Sequence, residues 1–383
     1  MRRLVRSTAL LGVGSAATVV AAVLRAKVLA ALDESFGRMG KGLGGAMGGM
    51  MMAPGAVGGE LQPAGEPAGV GEEEEEDPPI QRIQFHLDMG ALRGSSLGGL
   101  LEMGMAMWQA SAEGEENTAC LFGLLGKVNT VFADVTMGDG GEPSAMVISI
   151  KSTAAKDEVL TCVRGMADEG QTFEEVPVGS ATGYTMRKAD EPIKAVLVEA
   201  SPGNWLFGIP ANVEAALGTD PEADATFQAL VAPLGPSVMR ITVLFKPEFA
   251  QLADSIDADA PPQAACLRGV FQAAKGGSLG LALSPNFTLA LALQNGSATQ
   301  AAETQACLSG LWGLAKPALL AEIGEAGAAQ IETLLGLSVA QLLDSVKIEA
   351  SSDFAKVSVS LPAEVINRLI EMAAQLAQMG GGA

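Results

Sequence analysis

Four cysteines in two evenly spaced pairs are the sequence feature that most constrains this fold. Cys162 follows Cys120 by 42 residues, and Cys307 follows Cys266 by 41. The first cysteine of each pair opens a similar motif, "CLFG" in one case and "CLRG" in the other. Four cysteines permit three disulfide pairings. A repeated unit with one bridge per copy selects Cys120 with Cys162 and Cys266 with Cys307.

The segments around the two cysteine pairs predict the same order of elements. Each pair flanks a hairpin of alternating apolar residues, and the second cysteine lies in a predicted helix. Farther along, "VLVEASPGNWLFGIPANVEAAL" from Val196 and "VKIEASSDFAKVSVSLPAEVINRL" from Val346 both predict strand, turn, strand, proline and helix. The strands "QRIQFHLDMG" and "VMRITVLFKP" begin the two copies. We interpret the pattern as an internal duplication.

The duplicated pattern predicts an α+β fold with two tandem homologous units, at 80–233 and 234–383. Each unit is expected to form a mainly antiparallel sheet with helices packed on one face. After the second cysteine the first unit continues with strand-like "FEEVPVGSATGYTMRK", and the second has a long helical stretch instead. The connection at 219–237 carries apolar residues at helical spacing. It predicts a docked helix, so the units should pack as a pseudo-symmetric pair.

Residues 1–36 carry an apolar run between basic flanks. The run from Ser7 to Leu24 contains about 18 uncharged residues, the lower limit for a membrane-spanning helix. It is predicted to be a signal anchor with its basic N terminus in the cytoplasm. The alternatives are a cleaved secretory signal with Val20 and Ala22 before the cut, and a buried helix of a soluble protein. The first two place the rest of the chain in the cell envelope, either membrane-anchored or free in the periplasm or outside.

A linker at 37–79 follows, rich in glycine and methionine and ending in a run of glutamates. Such a composition cannot fill a core and predicts a disordered tether. Its root-mean-square span is roughly 35 Å. It can therefore separate a folded domain from a membrane surface.

Export and disulfide formation support each other, because bridges persist in oxidising compartments. Two other interpretations of the cysteines stay open. They can be four buried free thiols, or together they can bind zinc, although no close pair such as C-x-x-C is present.

The sequence offers little for catalysis. His86 is the single histidine and lies in an alternating strand, where a structural role is more common than that of a general base. No H-E-x-x-H or P-loop motif occurs. We therefore predict no catalytic, metal-binding or cofactor-binding residues and no enzyme activity. The formal net charge of −20 argues against nucleic acid as a partner.

These observations predict a structural or interaction protein of the envelope. Its partners would be a membrane, through residues 7–24, and another protein or a second copy of the chain. The alternatives are a periplasmic carrier or chaperone for apolar ligands and an enzyme of unrecognised class. The stretch from Leu97 to Trp108, "LGGLLEMGMAMW", motivates the carrier because methionine adapts to irregular apolar surfaces.

Overall fold

The computed structural model describes residues 79–95, 97–99, 120, 123–138, 143–167, 170–256, 262–284, 286–368 and 371. The predicted membrane segment at 7–24 lies outside the described residues. So do almost all of the 37–79 linker and most of the stretch from Leu97 to Trp108.

Twelve strands of the described chain form one continuous antiparallel sheet. The strands are β1 Ile80–Asp88, β2 Val128–Met137, β3 Pro143–Ser152, β4 Thr172–Val178, β5 Ala181–Arg187, β6 Val196–Ser201, β7 Asn204–Gly208, β8 Met239–Phe245, β9 Ala274–Ala282, β10 Phe287–Asn295, β11 Val346–Ser351 and β12 Phe354–Leu361. Their order across the sheet is β11, β12, β10, β9, β8, β1, β2, β3, β7, β6, β5, β4. The predicted α+β composition and antiparallel pairing are confirmed.

The helices connect and cover these strands. They are α1 Met89–Arg93, α2 Lys156–Gly165, α3 Pro210–Ala216, α4 Ala225–Val231, α5 Pro262–Ala273, α6 Ala298–Leu335 and α7 Val339–Asp344, with 3-10 stretches at Pro221–Ala223, Ala232–Leu234 and Pro247–Ser255. A further helical segment covers 363–368. The predicted hairpin after the second cysteine of the first unit is β4 and β5, and the helical stretch in the second unit is α6 and α7.

Strands β1 and β8 pair at the centre of the sheet, and we call this pairing the seam. It places Phe85 opposite Ile241 and His86 opposite Arg240. Outward from the seam the order is β1, β2, β3, β7, β6 in one direction and β8, β9, β10, β12, β11 in the other. Strands β5 and β4 extend the first side only.

The prediction of helices on one face of each sheet was wrong, because helices pack on both faces. Trp205 and Leu206 are neighbours in β7 and therefore point to opposite faces. Trp205 packs in a cluster with Leu160 of α2, whereas Leu206 packs in a cluster with Val213 of α3. Both faces of β7 carry apolar side chains, and both therefore need a covering layer.

Three clusters of buried side chains form part of the core. The first, at α2, contains Ala154, Val159, Leu160, Tyr184 and Trp205. The second, at α3, contains Val178, Val196, Val198, Leu206 and Val213. The third, on the far side of the seam, contains Leu230, Leu234, Ala290, Ala292 and Phe354.

The connecting segment at 219–237 is docked on the sheet, as predicted. Phe227 and Leu230 of α4 are 1% and 0% exposed. The buried hydroxyl of Ser278 donates a 2.7 Å hydrogen bond to the Leu230 carbonyl. Lys356 Nζ of β12 donates one of 2.8 Å to the Pro233 carbonyl. Strands β9 and β12 therefore hold the segment at residues 230–233.

Glycines in β9 permit this close approach. A Cβ atom at Gly280 would lie 2.9 Å from Leu234 Cδ1, and one at Gly276 would lie 3.2 Å from Leu230 Cδ2. Larger residues at these positions would have to displace these leucine side chains.

Candidate functional site

Polar side chains collect on one face of the seam, beneath the connecting segment. Alternation along β1 directs Arg82, Gln84 and His86 to the same face. Strand β8 places Thr242 opposite Gln84 and Arg240 opposite His86. We call this group the seam cluster, and its members are Arg82, Gln84, His86, Asp134, Glu222, Asp224, Arg240 and Thr242.

The guanidinium of Arg82 joins the sheet to the connecting segment. Its Nε donates a 2.7 Å hydrogen bond to Asp134 Oδ1, and its Nη2 contacts Asp134 Oδ2. Its Nη1 donates one of 2.8 Å to Asp224 Oδ2, just before α4. The guanidinium also lies over the Phe227 ring, 5.0 Å from the centroid. Arg82 thus makes a paired contact in the sheet and a single contact to the docked helix.

Asp224 has two roles, because it also caps α4. Its Oδ1 accepts hydrogen bonds from the backbone N–H groups of Thr226 at 2.9 Å and Phe227 at 3.4 Å. Burial alone would raise the pKa of Asp224, but the bonds from Phe227, Arg82 and Thr226 outweigh it and lower that pKa. The hydrogen bond to Asp134 is the main cause of a raised pKa for Arg82. Both groups are therefore charged at neutral pH.

His86 lies at the other end of the cluster and is incompletely paired. Its Nε2 is 3.6 Å from Glu222 Oε2, which is longer than a hydrogen bond. Its Nδ1 is buried with no hydrogen-bond partner. Burial and the nearby Arg240 lower the pKa of His86, so the imidazole is neutral at pH 7.

A small cavity lies between His86 and the connecting segment. Its walls are Gln84, His86, Phe132, Glu222, Phe227, Gln228, Val231, Arg240 and Thr242. Its volume is about 20 Å³, enough for one water molecule. Pockets for organic ligands are typically about 300–1,000 Å³. The cavity can therefore hydrate buried polar groups but cannot hold an apolar cargo.

The seam cluster joins the central strands to the connecting segment through hydrogen bonds and ion pairs. Arg82 pairs with Asp134 and Asp224 inside the cluster, and Glu222 pairs with Lys151 beside it. Within the described residues, no three His, Cys, Asp or Glu side chains lie close enough together to hold a metal ion. His86, the single histidine singled out from the sequence, belongs to this cluster. Arg82, Asp134 and Asp224 were not anticipated, although the polar positions 82, 84, 86 and 88 of β1 were a visible signal.

A second feature is an exposed apolar extension of α6. The last buried side chains in the first part of this helix are Ala301, Thr304 and Cys307. From 308 to 338 none of the described side chains is buried, and the next buried residue is Val339. We call residues 311–335 the apolar arm.

The apolar arm is bent and rich in leucine and alanine. Gly324, with φ of 65° and ψ of 174°, divides α6 into two helical pieces. Leu314 is 55% exposed and Leu320 is 38% exposed. Residues 298–333 are long and apolar enough to cross a membrane, with a mean hydropathy of 1.2 in their most apolar stretch, of which 6% is buried.

The four cysteines lie in the predicted pairs. Cys120 is bonded to Cys162 of α2 with a Cα–Cα distance of 5.6 Å, and Cys266 of α5 to Cys307 of α6 with 5.7 Å. Both distances are ordinary for disulfides. The second bridge fixes α6 immediately before the apolar arm begins.

Comparisons with known proteins leave the class of this chain open. No family model matches it, and no curated protein matches it. Solved structures of TP0453 show a weak similarity to this chain. The match to crystal form III has a TM-score of 0.35 and 12% sequence identity, and it covers 77% of this chain and 95% of that one. Crystal form IV has a TM-score of 0.35 and 10% identity, covering 77% and 97%.

Proposed function

We propose that this chain is a non-catalytic interaction protein of the cell envelope that self-associates through the apolar arm. The exposure of that arm carries the proposal. Folded monomers seldom leave a contiguous apolar surface uncovered, and such surfaces mark sites of association. Leu314 and Leu320 lie in a stretch of more than twenty residues in which none of the described side chains is buried.

The size of the arm suits a second copy of the chain. Stable interfaces use roughly 20–30 residues from each partner, which is the length of 311–335. A twofold axis would place the same apolar surface on both sides, as in most homodimers. Alanine and glycine between the leucines allow two helices to approach closely.

Acidic groups on the arm favour protein over lipid as its partner. Glu322 and Glu325 flank the bend at Gly324, and Glu332 follows on the second helical piece. Charged side chains are costly in the bilayer core. The net charge of −20 also opposes attraction to anionic lipid.

Substituting the exposed leucines tests this proposal. Leu314→Glu with Leu320→Glu should weaken the dimer at least about tenfold, because each leucine contributes roughly 1.5–3 kcal/mol when buried. Sedimentation equilibrium of the full-length chain measures the change. Leu289→Glu is the matched control, because Leu289 is 41% exposed but lies on β10.

A wild-type chain that stays monomeric at tens of micromolar would contradict self-association. Equal dimerisation of the arm variant and the Leu289→Glu control would contradict the arm as the interface. Weaker binding of the arm variant than of the wild type to phosphatidylcholine vesicles would replace the second copy with lipid.

We further propose that the two halves are duplicated units at 80–233 and 234–383. Matching strand orders on both sides of the seam support this, as do the matching disulfides. A backbone hydrogen bond at equivalent positions of the two halves also supports the duplication. At the end of β3 the Ser152 N–H donates 2.7 Å to the Gly203 carbonyl, and at the end of β10 the Asn295 N–H donates 2.8 Å to the Asp353 carbonyl.

The proposed location is outside the cytoplasm, with residues 7–24 in the membrane and 37–79 as a tether. Protease added to spheroplasts should then release a fragment near the size of 80–383. Disulfide bonds, which persist in oxidising compartments, support this topology. A cytoplasmic marker protein must stay intact in the same sample. Protection of the fragment until the inner membrane is lysed would rule the topology out.

A further inference from the structure

The single histidine of the chain lies under the segment that connects the two halves, in a cavity with room for one water molecule. We propose that His86 makes the docking of the connecting segment acid-sensitive. The neutral imidazole permits residues 219–237 to lie on the seam, and its protonation weakens their docking.

Four charged groups face His86 from the surrounding elements. Glu222 of the connecting segment and Asp88 of β1 favour the protonated ring, whereas Arg240 of β8 and Lys151 of β3 oppose it. Lys151 Nζ also lies 3.2 Å from Glu222 Oε1, which reduces the negative charge that the ring experiences. Strand β2 and helix α4 also line the cavity, but only with side chains that do not titrate: Phe132, Phe227, Gln228 and Val231.

Protonation would create a buried donor with no acceptor on the protein. Nδ1 of His86 has no hydrogen-bond partner, so a proton placed there would be unsatisfied. The added charge would also lie in a half-buried ring opposite Arg240 on the neighbouring strand. Glu222 compensates only in part, because its carboxylate is 3.6 Å from the other ring nitrogen.

The opposing influences on the pKa of His86 give the direction of the pH dependence. Burial and Arg240 outweigh Glu222 and Asp88, so the pKa of docked His86 lies below its ordinary value of 6.5. An exposed ring binds the proton more tightly than the docked ring does. Docking is therefore fully stable above about pH 6.5 and is weakened as the pH falls from there toward the pKa of the docked ring.

The composition of the chain allows the titration of His86 to be measured separately. No second histidine titrates in the same range, and ordinary carboxyl groups titrate near pH 4. A response between pH 6.5 and 5 therefore reports on one side chain.

Hydrogen exchange of the full-length chain at pH 7.5 and 5.0, corrected for intrinsic rates, tests the proposal. Protection of the α4 amides at 225–231 should fall, by up to about tenfold for each pH unit between the two pKa values. Amides of α2 at 156–165, which lie away from the seam, serve as the internal reference. His86→Gln, which is polar and does not titrate, should remove the difference between the two pH values.

Histidine-labelled wild-type protein provides a second measurement that needs no variant. Its single imidazole resonance should titrate below 6.5. A pKa at or above 6.5 would overturn the proposal, and so would an equal loss of α4 protection in wild type and His86→Gln. A uniform loss across α2 and α4 would indicate global acid unfolding and would overturn it as well.

Discussion

Replacing Cys266 and Cys307 together with alanine should lower the free energy of unfolding by roughly 4 kcal/mol. The bridge closes a loop with a sequence separation of 41 residues, and a longer loop loses more entropy when it is cross-linked in the unfolded chain. Cys307 is also 8% exposed, so its alanine replacement removes buried apolar volume. Urea unfolding under non-reducing conditions measures the loss.

The other bridge and a reductant provide the controls. Cys120 and Cys162 have almost the same separation, 42 residues, so their double alanine variant should lose a similar amount. Reductant should destabilise the wild type but add little to a variant that lacks both bridges. Peptide mapping that finds Cys120 joined to Cys266, or four free thiols, would contradict the pairing on which this expectation depends.

Phe227→Ala should cost about 3–5 kcal/mol, the usual effect of removing a buried phenylalanine. The ring is 1% exposed, forms part of the cavity wall, and receives the guanidinium of Arg82 over its face. Its loss would enlarge the cavity and weaken the contact between the connecting segment and β1. Chemical unfolding gives the energy, and hydrogen exchange of 225–231 shows whether the loss is local.

Thr226→Ala is the matched control for Phe227→Ala. Thr226 is the preceding residue of the same helix and its side chain is exposed, so its replacement should change stability by less than about 0.5 kcal/mol. If Phe227→Ala also lowers the free energy of unfolding by less than about 1 kcal/mol, α4 contributes little to the stability of the protein.

The cysteine pairs and the hairpins could be predicted from the sequence because their determinants are local. Alternation in β9 and β10, and the helix carrying Cys307 directly after them, lie within one short stretch. The docked helix was visible for the same reason, since Phe227, Leu230, Val231 and Leu234 follow helical spacing.

The seam cluster could not be predicted, because its contacts join distant parts of the chain. Arg82 pairs with Asp134, 52 residues away, and with Asp224, 142 residues away. No pattern in one sequence shows which of 44 acidic residues will meet a given arginine.

The apolar arm illustrates a different limit. Its leucines and alanines have the composition of a core helix, and periodicity cannot distinguish a helix that is covered from one that is not. The one-face prediction for the helices failed similarly. Trp205 and Leu206 are both apolar, so neither residue alone reveals that helices cover both sides of β7.

The central position of β1 has a consequence for the order in which the chain folds. β1 can pair with β2 soon after both are synthesised, but its other edge waits for β8, which follows about 150 residues later. At translation rates of roughly 5–20 residues per second, that edge stays open for on the order of 10–30 s. An open strand edge is a template for pairing with other chains. The growing first half is therefore open to misassembly at β1, and the arrival of β8 removes that hazard.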